Sequence, residues 1–248
     1  MSKIVMQADL SNNIHLETKA VKAAINSGEI HWSGRLLMLV LNFIPLVHAA
    51  CTILALLVLH AGGPVRFGVA IGILYILPAL TTRMLLLSNA IPAGHIAIGS
   101  RGFFAWWLSF QLQVVFCRFP ALEELLRLVP GLYSQWLRLW GAQIGRFTYW
   151  AAGTLITDRS FLCIGNDVVF GAGVRLNSHV LDKSDEGAVE LLLATVKIGD
   201  GVMVGGYSLL TAGTEIVSHE VTRAFLISPP FSVWKDGRRI RTKKIVRK

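Results

Sequence analysis

Residues 196–216 read VKIGDGVMVGGYSLLTAGTEI, with Ile198, Val204, Leu210 and Ile216 six positions apart. An α-helix repeats its faces about every 3.6 residues and a strand every two, so a six-residue beat belongs to neither. The beat continues upstream. Residues 144–156 (IGRFTYWAAGTLI) space Ile144, Trp150 and Ile156 by six, and residues 164–176 (IGNDVVFGAGVRL) do so with Ile164, Phe170 and Leu176. Four residues after these positions comes a second set of small or β-branched side chains: Thr148, Thr154, Ser160, Val168, Val174, Val202, Ser208 and Thr214. A parallel β-helix with three hexapeptides per turn explains both sets. Each hexapeptide gives a short strand with an inward aliphatic, and the corner after it needs unusual backbone angles or close approach, which favours glycine.

The phase breaks twice. Ile156 to Ile164 is eight residues, a small corner insertion, and Leu176 to Ile198 is twenty-two, which sends a loop of about sixteen residues out of the coil. Long loops on a regular scaffold usually carry function.

The rest of the chain is apolar in a different way. Of 248 residues 53% are hydrophobic and only 16% charged, and the mean hydropathy is +0.56, which points to membrane segments. Between Leu36 and Thr82 the only charged residue is Arg66, in a Gly-Pro turn that divides two apolar stretches of about 20 residues, the length that crosses a hydrocarbon core. A helical hairpin is expected. A buried helical pair of a soluble protein is the competing reading. A cleaved signal peptide is not expected, because some 35 mostly polar residues precede the run. Lys3, Lys19, Lys22 and Arg35 before the hairpin, and Arg83, Arg101, Arg118 and Arg127 after it, place both termini in the cytoplasm of a bacterial-type inner membrane by the positive-inside rule.

Residues 100–119 and 121–140 carry Phe103, Phe104, Trp106, Trp107, Phe110, Trp136 and Trp140 among arginines, a pattern expected of helices in the headgroup layer. Gln111 and Gln113 favour that placement over a third spanning helix. The expected organisation is a cytoplasmic segment over residues 1–35, a transmembrane hairpin over 36–88, interfacial helices over 89–141, the coil over 142–234 and a basic tail over 235–248.

Of the formal charge of +9, the last fourteen residues contribute +7, so the remainder is nearly neutral and the pI does not mark a nucleic-acid binder. A basic tail beside a membrane is attracted to anionic lipid, and equally to an acidic carrier protein or a phosphate group. Cys51, Cys117 and Cys163 lack the spacing of a disulfide framework or a metal site.

The long loop opens LNSHVLDKSDEG over residues 176–187, with His179 at its root, followed by Asp182, Asp185 and Glu186. Imidazole suits proton abstraction near neutral pH, and a neighbouring carboxylate would fix its tautomer.

That run, the block at 196–216 and LISPPFSVW at 226–234 together resemble the hexapeptide-repeat acyltransferases, over about residues 144–234. RLWGAQIG at 138–145 resembles the start of the coil in membrane-attached members. GHIAIGSRGFFAWWLSFQLQ at 94–113 resembles the segment before the coil in the acyltransferase-like C-terminal parts of polylysine-type nonribosomal peptide synthetases. The resemblance implies a left-handed coil, a homotrimer and direct transfer from a thioester donor, either acyl-CoA or an acyl or peptidyl carrier protein, with no metal. It implies His179 as general base, backbone N–H groups around Gly205 and Gly206 as oxyanion donors, and Asn177, Asp182, Thr211, Ala212 and Gly213 as neighbours of the donor arm. The closing corner departs from the family's GxPA and reads Ser228-Pro229-Pro230. The expected function is membrane-bound acyl transfer to a hydroxyl or amine of a lipid-linked or membrane-associated acceptor.

Two other classes stay open. A metal-dependent hydratase on such a coil, of the γ-carbonic-anhydrase type, needs three converging histidines. The coil offers His179 and His219. A non-catalytic membrane-anchored trimeric scaffold would need none. His48, inside the first span, is either functional or a helix–helix contact.

Overall fold

The computed structural model describes residues 30–183 and 188–240. The expected cytoplasmic segment up to residue 29, Asp185, Glu186 and the end of the basic tail lie outside the described residues.

Two helical runs open the fold. Helix α1 (Trp32–Leu41) meets α2 (Ile44–Leu57) at Asn42, where Pro45 in the first turn of α2 restarts the helix. After a short turn, α3 (Gly63–Ile71) passes through a π-helical turn at Gly72–Ile76 into α4 (Leu77–Leu87). The wide turn sits directly before Pro78, whose ring has no N–H and would crowd a regular preceding turn. Trp32–Leu57 and Gly63–Leu87 are long and apolar enough to cross a membrane. Their outer sides expose Leu36, Leu39, Leu46, Val47, Leu57, Phe67, Leu77 and Leu87.

A short strand β1 (Gly94–Ala97) leads into α5 (Arg101–Arg118), capped by the Ser100 hydroxyl on the Phe103 N–H. Helices α6 (Ala121–Arg127) and α7 (Leu132–Leu139) follow. Helix α5 is a packed layer between the hairpin and the coil: Phe103, Trp106, Val115 and Phe116 are buried in it. Gln111 and Gln113, read from sequence as signs of a wet surface, are buried too. Gln111 donates to Asn42 Oδ1 (2.6 Å), and Gln113 Oε1 accepts from the Arg159 backbone N–H (2.9 Å). Around α6 and α7 Phe119, Leu125, Leu128 and Val129 stay exposed, so one apolar edge of this layer remains uncovered.

The coil has three parallel sheets as its faces. One stacks β2 (Gln143–Ile144), β5 (Leu162–Ile164), β10 (Val196–Ile198), β13 (Glu215–Ile216) and β15 (Val233–Lys235). The second stacks β3 (Tyr149–Trp150), β6 (Val169–Phe170) and β11 (Met203–Val204). The third stacks β4 (Leu155–Ile156), β7 (Arg175–Leu176), β12 (Leu209–Leu210) and β14 (Ile227–Ser228). Parallel register pairs Ile144 with Ile164, Ile164 with Ile198 and Ile198 with Ile216, so both phase breaks are excursions from an otherwise constant turn. All ten residues of the ladder are buried, and Trp150 stacks on Phe170 at 4.5 Å.

The structure continues the ladder beyond Ile216 through Thr222, Ser228 and Trp234, which keep the six-residue spacing without being aliphatic. Ser228, at the departure from GxPA, is fully buried, accepts from Trp234 Nε1 (2.8 Å) and bonds Thr214 Oγ1 (2.9 Å). The start of the expected basic tail is ordered as β16 (Arg238–Ile240), which folds antiparallel onto β15 and covers that sheet edge.

Close approach explains the glycine after the aliphatic. A Cβ at Gly171 would lie 2.5 Å from the Gly206 nitrogen of the next turn. The left-handed backbone angle falls two residues later, at positions such as Gly153, Gly173 and Gly213.

Candidate active site

The twenty-two-residue interval becomes an ordered hairpin, β8 (His179–Lys183) and β9 (Val189–Leu193), which joins β1 in a three-stranded antiparallel sheet. Leu191 and Leu193 pack with Phe103 and Trp106 of α5. His179 is therefore the first residue of a strand pinned between the coil and α5. Its base is laced by Ala194 N–H to Ser178 O (2.9 Å) and Gly213 N–H to Ala194 O (3.2 Å).

His179 Nδ1 lies 2.6 Å from Asp158 Oδ2. Asp158 is 2% exposed, while a fifth of the His179 side chain remains accessible, enough for a small reacting group to reach it. Asp158 Oδ1 accepts from Trp106 Nε1 (3.0 Å). The Thr157 hydroxyl sits between Asp158 Oδ2 (3.1 Å) and Asn177 Oδ1 (3.2 Å) and donates to one at a time. Trp106 and Phe110 also meet the imidazole in T-shaped contacts, with centroids at 5.0 and 5.4 Å. Burial alone would raise the Asp158 pKa. The facing His179 and the hydrogen bonds from His179, Trp106 and Thr157 outweigh burial and hold it below its ordinary value of 3.8. The carboxylate is thus ionised, and Nδ1 carries the proton it donates.

The expected carboxylate partners of His179 were those that follow it in sequence, and the structure supplies a different one. Asp182 is exposed, and strand alternation turns it to the face opposite His179; its Oδ1 accepts the Lys183 N–H (2.8 Å). Asp158 was missed. Its signal was the eight-residue interval between Ile156 and Ile164, which inserts an acid and a base, Asp158 and Arg159, into an apolar ladder.

Period places the remaining predicted residues. Asn177 follows Leu176, Thr211 follows Leu210 and Thr157 follows Ile156, so all three occupy one corner of the stack, with Ala212 and Gly213 beside them. The Asn177 N–H bonds Leu210 O (2.9 Å) and Thr211 Oγ1 bonds Ser228 O (2.6 Å). Gly205 and Gly206 follow Val204 and belong to a different corner of the same chain. The Gly205 N–H is directed to Thr222 Oγ1 (3.0 Å).

Arg159 turns the other way, into the helical layer, and is fully buried. It pairs with Glu123 and bonds Gln113 Oε1, among the rings of Phe116, Trp136 and Trp140. Glu123 also accepts from Tyr133 Oη (2.7 Å) and Arg127 Nη2 (3.0 Å). Burial works against the Arg159 charge, and Glu123 more than restores it, raising its pKa. Burial and the Glu123 charge push the Tyr133 phenol well up. This network clamps α6 and α7 to the corner that carries Asp158.

His219 is exposed at a corner with φ 63°, and among the described residues no three His, Cys, Asp or Glu side chains converge as metal ligands.

No protein-family profile and no curated protein matches the sequence. Among solved structures the chain is similar to a hexapeptide-repeat acetyltransferase of Vibrio cholerae O1 biovar eltor complexed with acetyl coenzyme A. That match has 15% identity, covers 53% of this chain and 88% of that one, and has a TM-score of 0.36. It is also similar to a maltose O-acetyltransferase of Clostridium difficile 630, at 18% identity over 49% of this chain and 82% of that one, TM-score 0.35. A galactoside acetyltransferase in complex with coenzyme A matches at 15% identity over 49% and 78%, TM-score 0.31.

Proposed function

We propose that the chain is a membrane-bound acyltransferase that moves an acyl group from a CoA or carrier-protein thioester to a hydroxyl or amine of a lipid-linked or membrane-associated acceptor. The observation that carries this reading is His179 Nδ1 at 2.6 Å from buried, ionised Asp158, at the corner that also holds Asn177 and Thr211. With Nδ1–H held by Asp158, Nε2 is the nitrogen that takes the acceptor's proton. The acceptor heteroatom then attacks the thioester carbonyl. Collapse of the tetrahedral intermediate breaks the C–S bond, and the leaving thiolate receives the proton from His179, so the base is regenerated without an acyl-enzyme.

Exposed apolar side chains along both helical runs and around α6 and α7 support a membrane setting, since surface of this kind is rare on soluble monomers. In this reading the hairpin spans the membrane, both termini and the coil are cytoplasmic, and the coil is left-handed. Phe147, Tyr149, Met203, Tyr207 and Phe225 leave the outside of the coil apolar, which supports a homotrimer. In that trimer the Gly205–Gly206 corner of one copy faces the His179 corner of another, and Gly206 is the proposed oxyanion donor. In this reading Asp182, exposed on β8, meets the far end of the donor.

The test is a panel of acyl-CoA and carrier-bound thioesters given to detergent-purified protein, with thiol release followed in the presence of membrane extract. Acceptor-dependent release that is lost in His179→Ala, with assembly unchanged, is the expected result. Full release by that variant would remove the role assigned to His179.

A further inference from the structure

Where α4 meets the first turns of the coil, an open basin of about 430 Å³ is lined by Arg83 and Arg138 together with Gln143, Gly145 and Cys163. Both arginines are held in place by backbone carbonyls. Arg138 Nε donates to Ile144 O (2.9 Å) and its Nη2 to Gly145 O (2.9 Å), while Arg83 Nη1 donates to Arg138 O (2.8 Å). A guanidinium has five N–H groups, so each arginine keeps donors beyond these bonds. Carbonyls orient a guanidinium without neutralising it. No carboxylate lines the basin, and among the described residues neither arginine forms an ion pair. Two fixed positive charges on one basin, with no counter-charge, call for an anion.

The place of the basin selects the anion. Gly145 and Gly165 follow Ile144 and Ile164, so this corner of the stack is neither that of His179 nor that of Gly205. In the proposed trimer the His179 and Gly205 corners face one another, which leaves this third corner out of that pairing. Arg83 stands near the end of the second apolar run, where the proposed membrane placement brings the headgroup layer. Phosphate is the anion of that layer, and guanidinium forks match its oxygens.

We infer that this basin binds a phosphate group, on a lipid headgroup or on a free phosphorylated molecule, through Arg83 and Arg138. The membrane placement proposed above brings headgroups to it, and the inference is independent of acyl transfer.

Cys163 supplies the readout, since it lines the basin with Sγ 3.5 Å from Gln143 Oε1. Full-length protein in dodecyl maltoside is alkylated with N-ethylmaleimide, and modification of Cys163 is followed by peptide mass spectrometry with Cys51 as internal reference. Dioleoyl phosphatidic acid doped into the micelles is expected to slow Cys163 alkylation, and diolein, which lacks the phosphate, is not. Added salt should weaken the protection. Arg83→Gln should raise the phosphatidic acid concentration for half-protection about tenfold, the factor of one charge-assisted hydrogen bond. Because Arg83 also holds Arg138 O, a second variant keeps both arginines: Gln143→Glu, at an exposed position, sets a carboxylate in the basin and should weaken protection as much. Each variant is compared with itself without lipid. His179→Ala should be protected like the unaltered chain. Inorganic phosphate identifies the source: protection by phosphatidic acid alone assigns the basin to headgroups, and equal protection by inorganic phosphate assigns it to a free phosphate. Equal protection by diolein, or protection that neither variant weakens, overturns the inference. Normal thiol release with no protection of Cys163 by either phosphate compound overturns it too, and leaves the acyltransferase reading standing.

Discussion

Replacing Asp158 by Asn changes almost no volume and tests the dyad through its proton. Asp158 takes hydrogen bonds on both oxygens, from Trp106 Nε1 on Oδ1 and from His179 Nδ1 on Oδ2. An indole N–H can only donate, so the single amide oxygen of Asn is drawn to Trp106 and the amide NH2 faces His179. The imidazole must then accept at Nδ1 and carry its proton on Nε2, the tautomer that cannot act as base. The flipped amide avoids this only by setting two donors against each other in a buried site, at a cost of about 1–3 kcal/mol. Placing histidine in the wrong tautomer costs on the order of 10⁴-fold in the serine protease triad, and general base catalysis is worth roughly 10²–10⁴-fold. We expect kcat/KM for thiol release to fall by about 10²–10⁴-fold, which is roughly 2.7–5.5 kcal/mol of transition-state stabilisation. The melting curve and oligomeric state should change little, since the packing is kept. Activity within threefold of the unaltered protein would refute the assignment of Asp158 as the group that orients His179.

Trp106→Phe keeps a ring against the imidazole but removes the donor to Asp158 Oδ1, and we expect kcat to drop about tenfold with KM nearly unchanged. Because the folded Asp158 pKa is depressed, its contribution to stability is complete above the ordinary value of 3.8 and is lost as pH falls through the lower folded value. Acid unfolding of Asp158→Asn should therefore lack that component, as read by circular dichroism against pH. Glu123→Gln leaves Arg159 buried without its counter-charge and should cost about 3–5 kcal/mol in thermal or denaturant unfolding, with Arg159→Met in the same chain recovering part of it. Gly171→Ala drives a Cβ into the backbone of the next turn. It should destabilise the coil more than Gly153→Ala, where there is room and the φ of 75° costs only about 1–2 kcal/mol.

The coil was legible because its period is written in aliphatic residues, which must be buried and leave no second explanation for a beat of six. The same rule concealed its last turn. Thr222, Ser228 and Trp234 keep the register but satisfy polar groups at the end of the stack, so a search for aliphatics stops at Ile216. His179 was visible as the residue where the long loop leaves the coil. Its partner Asp158 lies 21 positions earlier, in a two-residue insertion whose only mark is a lengthened interval. The full turn of three hexapeptides also sorts the corners: Thr211 and Asn177 follow the paired residues Leu210 and Leu176, whereas Gly205 follows Val204, which pairs with Phe170 on another face. Gln111 and Gln113 were misread because their partners, Asn42 and Arg159, are 69 and 46 residues away, and polarity within one helix does not reveal a distant hydrogen bond. His48 Nε2 meets the Ile73 carbonyl of a π-helical turn in the opposite span, a contact for which hydropathy has no signal.

The central claim is that the thioester carbonyl is attacked beside His179. It is tested most directly by an experimental structure with a ketone analogue of an acyl-pantetheine thioester, the portion common to both donor classes. The account predicts the pantetheine arm along the corner formed by Asn177, Thr211, Ala212 and Gly213, with an acceptor site about 3 Å from both His179 Nε2 and the ketone carbon. An analogue bound on another face of the coil, with its carbonyl beyond reach of His179, would contradict it.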